Sequence, residues 1–203
     1  VTTKFMKNTG WLLFEQIFRM GLSLIVTSLM ARYLGKEDFG SLNYSLAYIM
    51  IFTTVSNLGI DNIIVHEIIK NRNRTGKIIG TTIFLRFVSS VLSIFTLFGL
   101  INLMNPYNEV IQLITLIQSI SLIFIVFDSI EFWFQSNLQS KYIVISKSVA
   151  FTLLSSWRLY AIFSEKSVYY FAFATVIETV VICVFMMVFY VKFNGPSLNV
   201  SFK

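Results

Sequence analysis

The sequence predicts an all-α integral membrane protein, a bundle of six transmembrane helices. Three observations predict it. Hydrophobic residues fill 56% of the 203 positions and charged residues only 13%, against about 25% charged in soluble domains. Mean hydropathy is +0.74. A soluble fold has too little interior to hide that much apolar surface, and lipid is its natural solvent. The apolar residues also gather into six runs, 11–34, 41–65, 78–103, 110–134, 142–163 and 168–191. Each is near the length of about 20 residues that crosses a hydrocarbon core.

The first run follows Lys4 and Lys7, as a signal peptide would. It is too long for an h-region of about 7–15 residues and no small-residue cleavage site follows, so it reads as a retained span. Gly35 is placed to end this helix with a positive φ, and Glu37 and Asp38 suit the N-terminus of the next. The second run closes on Asn57 and Asp61. Pro106 falls between the third and fourth runs and Pro196 after the sixth, so neither interrupts a helix. The fourth run carries a polar stripe. Gln118, Ser121, Asp128, Glu131 and Gln135 share one helical face, which predicts a bundle interior or a water-filled cavity. All connections are short, so sequential helices should be antiparallel neighbours.

The net charge of +6 is spread among apolar spans and forms no basic stripe, which argues against a nucleic-acid partner. Loop charge instead sets orientation. Lys4, Lys7, Lys70, Arg72, Arg74, Lys77, Lys141, Lys192 and Lys203 lie on one side, and only Lys36 and Lys166 on the other. Both termini should therefore be cytoplasmic, the basic loops facing anionic lipid. A single cysteine, Cys183, and a single histidine, His66, leave no intrachain disulfide and no zinc cluster. Cys183 reads as an inert thiol and His66 as a loop residue. No cofactor, metal or P-loop is expected. The chain starts at Val1 rather than Met and ends in a hydrophilic stretch, as if both ends were cut from a larger protein.

A charge within a span costs about 2.5–3.5 kcal/mol at its centre. Even so, every run carries at least one: Glu15, Arg19 and Arg32 in the first, Asp61 in the second, Arg86 in the third, Asp128 and Glu131 in the fourth, Lys147 and Arg158 in the fifth, Glu178 in the sixth. By helical rise, most fall in the cytoplasmic half, Arg158 towards the outer half and Glu178 near the middle. Two readings stand. The charges pair to join helices, Glu15 with Arg19 in one helix and Arg86 with Asp61 or Asp128. Alternatively, arginines line a hydrated cavity and meet an anionic ligand.

The stretch Ala31-Arg32-Tyr33-Leu34-Gly35-Lys36-Glu37-Asp38-Phe39-Gly40 resembles the first hairpin of the polysaccharide export family, the lipid-linked oligosaccharide (O-antigen-type) flippases of the MATE-like superfamily. Asn57-Leu58-Gly59-Ile60-Asp61-Asn62, followed by His66-Glu67, is similar to the end of that family's second helix, with His66 where arginine is often seen. Phe127-Asp128-Ser129-Ile130-Glu131-Phe132-Trp133-Phe134-Gln135, then Ser140-Lys141-Tyr142, resembles its fourth helix and the loop after it. Arg158 and Glu178 fall where the family tends to place an arginine and a glutamate. The resemblance covers nearly the whole chain but only the first half of a family member.

This resemblance implies one lobe of a two-lobe transporter in the bacterial inner membrane, with the tail from Ser197 leading to a second lobe. It implies translocation of an undecaprenyl-diphosphate-linked oligosaccharide for surface polysaccharide, alongside other polysaccharide-assembly proteins. Arg19, Arg86 and Arg158 become candidate contacts for the diphosphate or an anionic sugar. Asp61, Asp128, Glu131 and Glu178 become candidates for ion coupling or for holding the arginines. A multidrug extruder and a peptidoglycan-precursor flippase share the fold. A membrane-embedded glycosyl- or prenyltransferase would need an acidic metal-binding cluster, for which Asp128 and Glu131 are the only nearby pair.

Overall fold

The computed structural model describes residues 2–57 and 59–200. Val1, Leu58 of the second-helix motif and tail residues 201–203 lie outside the described residues, as do the side chains of Lys4, Lys7 and Asn62.

Gly35 divides the helical run Thr2–Ser56. At φ 71° and ψ −174° it breaks the ladder and turns the chain, a conformation that costs glycine little because it has no Cβ. The run thus yields α1 (2–34) and α2 (36–56). The second apolar run is not one helix. α2 stops at Ser56, Gly59 turns the chain at φ 62°, and a short helix α3 runs from Asp61 to Lys70. A 3-10 turn at Arg72–Arg74 leads into α4, Thr75–Met104. Then come α5, Glu109–Ser136, α6, Ser140–Phe163, and α7, Val168–Lys192. Among the described residues the architecture is all-α, with six long helices and one short one.

Asn108 caps α5, its Oδ1 accepting from the Ile111 N–H at 3.0 Å, which satisfies one of the orphan donors at a helix start. Within α5 the coil tightens to 3-10 geometry across Val126–Ile130, the stretch that bears Asp128. Four stretches are long and apolar enough to cross a membrane: Thr9–Ser56, which holds α1 and α2, then Arg72–Met104, Glu109–Ser136 and Val168–Lys192. α6 has spanning length, 24 residues, but carries Lys141, Lys147, Arg158 and several serines, which dilute its apolar character.

Three apolar clusters hold the bundle, and α5 belongs to all of them. At one end Val26 and Met30 of α1 and Leu42 of α2 meet Ile114 and Ile117 of α5, with Ala161, Phe171 and Ala172 of α6 and α7. At the other, Ile64 and Ile68 of α3 and Ile79 of α4 meet Ile130, Phe132 and Phe134 of α5, with Ile143, Met186 and Tyr190. Ile49, Leu97, Ile101 and Leu122 join α2, α4 and α5 between them. Buried hydroxyls cross the same contacts, Thr115 donating to Ser45 at 2.8 Å and Ser56 to Ser93 at 3.0 Å. Such small polar residues let helices approach closely and bond across them where lipid offers no partner. Leu13, Phe14, Ile17, Met20, Leu24 and Ile25 of α1 stay exposed, a surface too apolar for water and suited to hydrocarbon.

After α7 the chain folds back over α4. A Cβ on Gly76 would meet the Ser197 carbonyl oxygen at 2.1 Å, and one on Gly80 would meet that of Asn199 at 2.6 Å. The Asn199 N–H donates to the Gly76 carbonyl at 3.3 Å, and the Tyr190 hydroxyl to that of Pro196 at 2.5 Å. Two glycines four apart on one face of α4 thus make the groove in which the tail lies.

Candidate functional site

Most of the intramembrane charges face the interior of the bundle alongside α5, whereas Arg32 is exposed on α1 and Asp61 is exposed at the start of α3. The polar stripe of α5 turns inward: Gln118 and Ser121 are fully buried, Glu131 is buried, and Asp128 and Gln135 are partly buried. Around it stand four cations, Arg19, Arg86, Lys147 and Arg158, and five carboxylates, Glu15, Asp61, Asp128, Glu131 and Glu178.

Arg86, on α4, is the most enclosed of them, 2% exposed. One terminal nitrogen donates to Asp61 at the first turn of α3 and, at 3.3 Å, to the Asn57 carbonyl just past the end of α2. The other donates to Ser129 of α5 at 3.1 Å. The guanidinium also lies over the Phe132 ring, 5.3 Å from its centre. These contacts explain the broken helix between Ser56 and Asp61. A helix end leaves carbonyls unpaired and carries partial negative charge, and Arg86 answers both the carbonyl and the carboxylate across the gap. Of the two acids open to Arg86 from sequence, its bonded partner is Asp61.

Arg19 of α1 donates to Glu178 of α7 at 2.6 Å and lies 3.8 Å from Glu15 one turn away on its own helix. Its guanidinium also covers the Phe151 ring of α6 at 5.1 Å. Lys147 of α6 meets both oxygens of Glu131 on α5, at 2.7 and 2.9 Å. The bridges therefore run α1–α7, α4–α3 and α5–α6: the first joins helices at opposite ends of the chain and the other two join consecutive helices.

Two charges are left over. Arg158 of α6 forms no ion pair or hydrogen bond among the described residues. Its Nε is shut off from solvent and meets no acceptor. Its charged neighbours are Glu178, already engaged by Arg19, and Arg19 itself, a like charge. Asp128 likewise makes no ion pair among the described residues, while Glu131, Lys147, Arg86 and Arg19 surround it at longer range. Arg158 is partly buried, and of its donors only Nε is shut off without an acceptor, a state that the Nε of Arg86 shares.

Sequence reasoning treated Arg19, Arg86 and Arg158 alike. The structure separates them into one closed by three partners, one shared between two carboxylates, and one open. It also adds Asn57, Ser129, Phe132 and Phe151, which no charge pattern could reveal. Ser129 sits beside Asp128 but on another face of α5, and Asn57 acts through its backbone.

Residues 5–203 match the model of one protein family, described as polysaccharide biosynthesis protein. No curated protein and no solved structure matches the chain.

Proposed function

Since the chain belongs to the polysaccharide biosynthesis protein family, the flippase family of the MATE-like superfamily, we propose that it moves an undecaprenyl-diphosphate-linked oligosaccharide from the inner to the outer leaflet of a bacterial cytoplasmic membrane. In this reading the chain crosses the membrane six times with both termini cytoplasmic. It is one of two lobes that rock about a central cavity. Its work is transport rather than bond chemistry. Its partners are the bilayer, the lipid-linked cargo, the second lobe and other polysaccharide-assembly proteins.

The observation that carries this reading is Arg158. It is a permanent cation within the bundle, and the carboxylate nearest to it is already held by Arg19. A diphosphate presents acceptor oxygens that match the guanidinium fork. Arg19 shares its charge with Glu178 and stands second in line, able to shift from carboxylate to cargo. Arg86 has the role of a strut, its two terminal nitrogens engaged by Asp61, Asn57 and Ser129. Asp128, the spare carboxylate, is the candidate for ion coupling, and Glu131 holds Lys147 beside it. A cavity cation favours an anionic cargo over the cationic drugs of a multidrug extruder.

Chemical rescue tests the role of Arg158. In the native protein with Cys183→Ser, Arg158→Cys should abolish surface polysaccharide while membrane abundance holds. A small thiol reagent carrying an amine should restore export, and a neutral reagent of equal size should not. Normal export by unmodified Arg158→Cys, or equal rescue by both reagents, contradicts the proposal.

A further inference from the structure

A second polar site lies where α3 meets α4, running along α4 from its first turn to Leu85, just before Arg86. A cleft of about 430 Å³ opens there between the two helices, lined by Glu67, Asn71, Arg74, Lys77, Thr81 and Leu85 among others. It is graded along its length. Lys77, Ile78, Thr81, Thr82 and Leu85 recur on one face of α4. From Lys77 to Leu85 that face descends by about 12 Å at helical rise. The upper end carries two exposed cations, Arg74 and Lys77, with Ile78 beside them, and the lower end closes on the exposed Leu85. Arg74 sits in the 3-10 turn directly before α4 and Lys77 in the first turn of the helix. Neither forms an ion pair among the described residues.

The cleft also holds one carboxylate. Glu67, in the last turn of α3, accepts a hydrogen bond from the neutral Asn71 side chain at 2.7 Å, which leaves its charge unanswered. Two cations beside one carboxylate, above an apolar wall, describe a particular ligand. A free phosphate would leave Ile78 and Leu85 unused. A diphosphate would bring a second negative group against Glu67, where like charges repel.

We infer that this cleft holds one phospholipid whose headgroup carries both a phosphate and a primary amine. The phosphate sits between Arg74 and Lys77, the ammonium at Glu67, and an acyl chain runs down past Ile78 and Leu85. The inference goes beyond the transport reading and does not depend on it. It needs only that this end of the bundle lies at a membrane surface, where Lys70 and Arg72 already add to the local positive charge. Such a lipid is a resident, not a cargo, and would wedge α3 against α4.

The test is native mass spectrometry of the purified chain in detergent. The probes are synthetic phosphatidylethanolamine and phosphatidylglycerol with matched acyl chains, offered in equal amounts, with undecaprenyl diphosphate and inorganic phosphate as separate competitors. Phosphatidylethanolamine adducts should dominate, and neither competitor should displace them. The double variant Arg74→Gln, Lys77→Gln should reduce adducts about fivefold, the scale of partly exposed charge contacts. Glu67→Gln should abolish the preference between the two lipids while total adduct remains. Lys166→Gln, at the opposite end, should change nothing. Circular dichroism checks that each variant is folded. Should the double variant melt early, the preference lost in Glu67→Gln decides the matter alone. Equal binding of both lipids by the unaltered chain, a preference that survives Glu67→Gln, or displacement by either competitor would overturn the inference.

Discussion

Arg86 and Arg158 are the same residue type in the same kind of apolar helix, and the structure gives them opposite fates. Arg86 fills the gap between α2 and α3 and bonds on both sides of it. Removing it takes the donor from the Asn57 carbonyl, while the Asp61 carboxylate, 52% exposed, can turn to water, so the loss is on the scale of broken hydrogen bonds, about 1–3 kcal/mol. Arg86→Ala should therefore lower the melting temperature in detergent micelles, with Arg86→Lys in between, since lysine keeps the charge but not the fork. An unchanged melting curve for Arg86→Ala would remove its role as a strut. From sequence alone both arginines were equally open to structure and to ligand. The sequence carried the presence of the charges and their cost in lipid. Arg86 finds Asp61 on the neighbouring helix, one of the two acids the sequence offered, whereas Arg19 meets Glu178 from the far end of the chain, and no spacing rule reaches that far.

Among the elements, the turn at Gly35 was fully legible, because a positive φ after a long helix is a local demand that glycine meets. The break at 57–60 was not. The apolar residues on either side of it read as one run, although Ser56, Asn57, Gly59, Asp61 and Asn62 dilute it there, and the backbone shows the interruption that Arg86 bridges. The inward face of α5 was readable from its polar period, whereas its 3-10 segment at Val126–Ile130 has no signature in the pattern. The seat of the tail was also hidden. Gly76 and Gly80 look like ordinary small residues of a spanning helix until the chain at 197–199 is laid against them. Gly80→Leu must push that segment off α4, since a Cβ alone already comes within 2.6 Å of Asn199. In a cysteine-free background a thiol placed by Asn199→Cys should then react with maleimide faster than when Gly80 is intact. Equal rates would mean that the tail is not held there.

Over the whole molecule, the fold class was legible because composition and run length are global properties that lipid imposes on any spanning chain. The charge asymmetry of the loops is equally global, and the proposed direction of transport rests on it. That direction takes the basic end of the bundle as cytoplasmic, whereas the lipid cleft at Arg74 and Lys77 needs only a membrane surface there. The short turn between α4 and α5 must then face outward. The most direct test is cysteine labelling in intact cells, with Cys183→Ser as background. Position 108 caps α5 and position 72 lies in the basic turn before α4; both are exposed. An impermeant thiol reagent should label Asn108→Cys from outside and reach Arg72→Cys only after the membrane is opened. Labelling of position 72 but not 108 in intact cells would invert the bundle. Labelling of both would take the chain out of the membrane arrangement described.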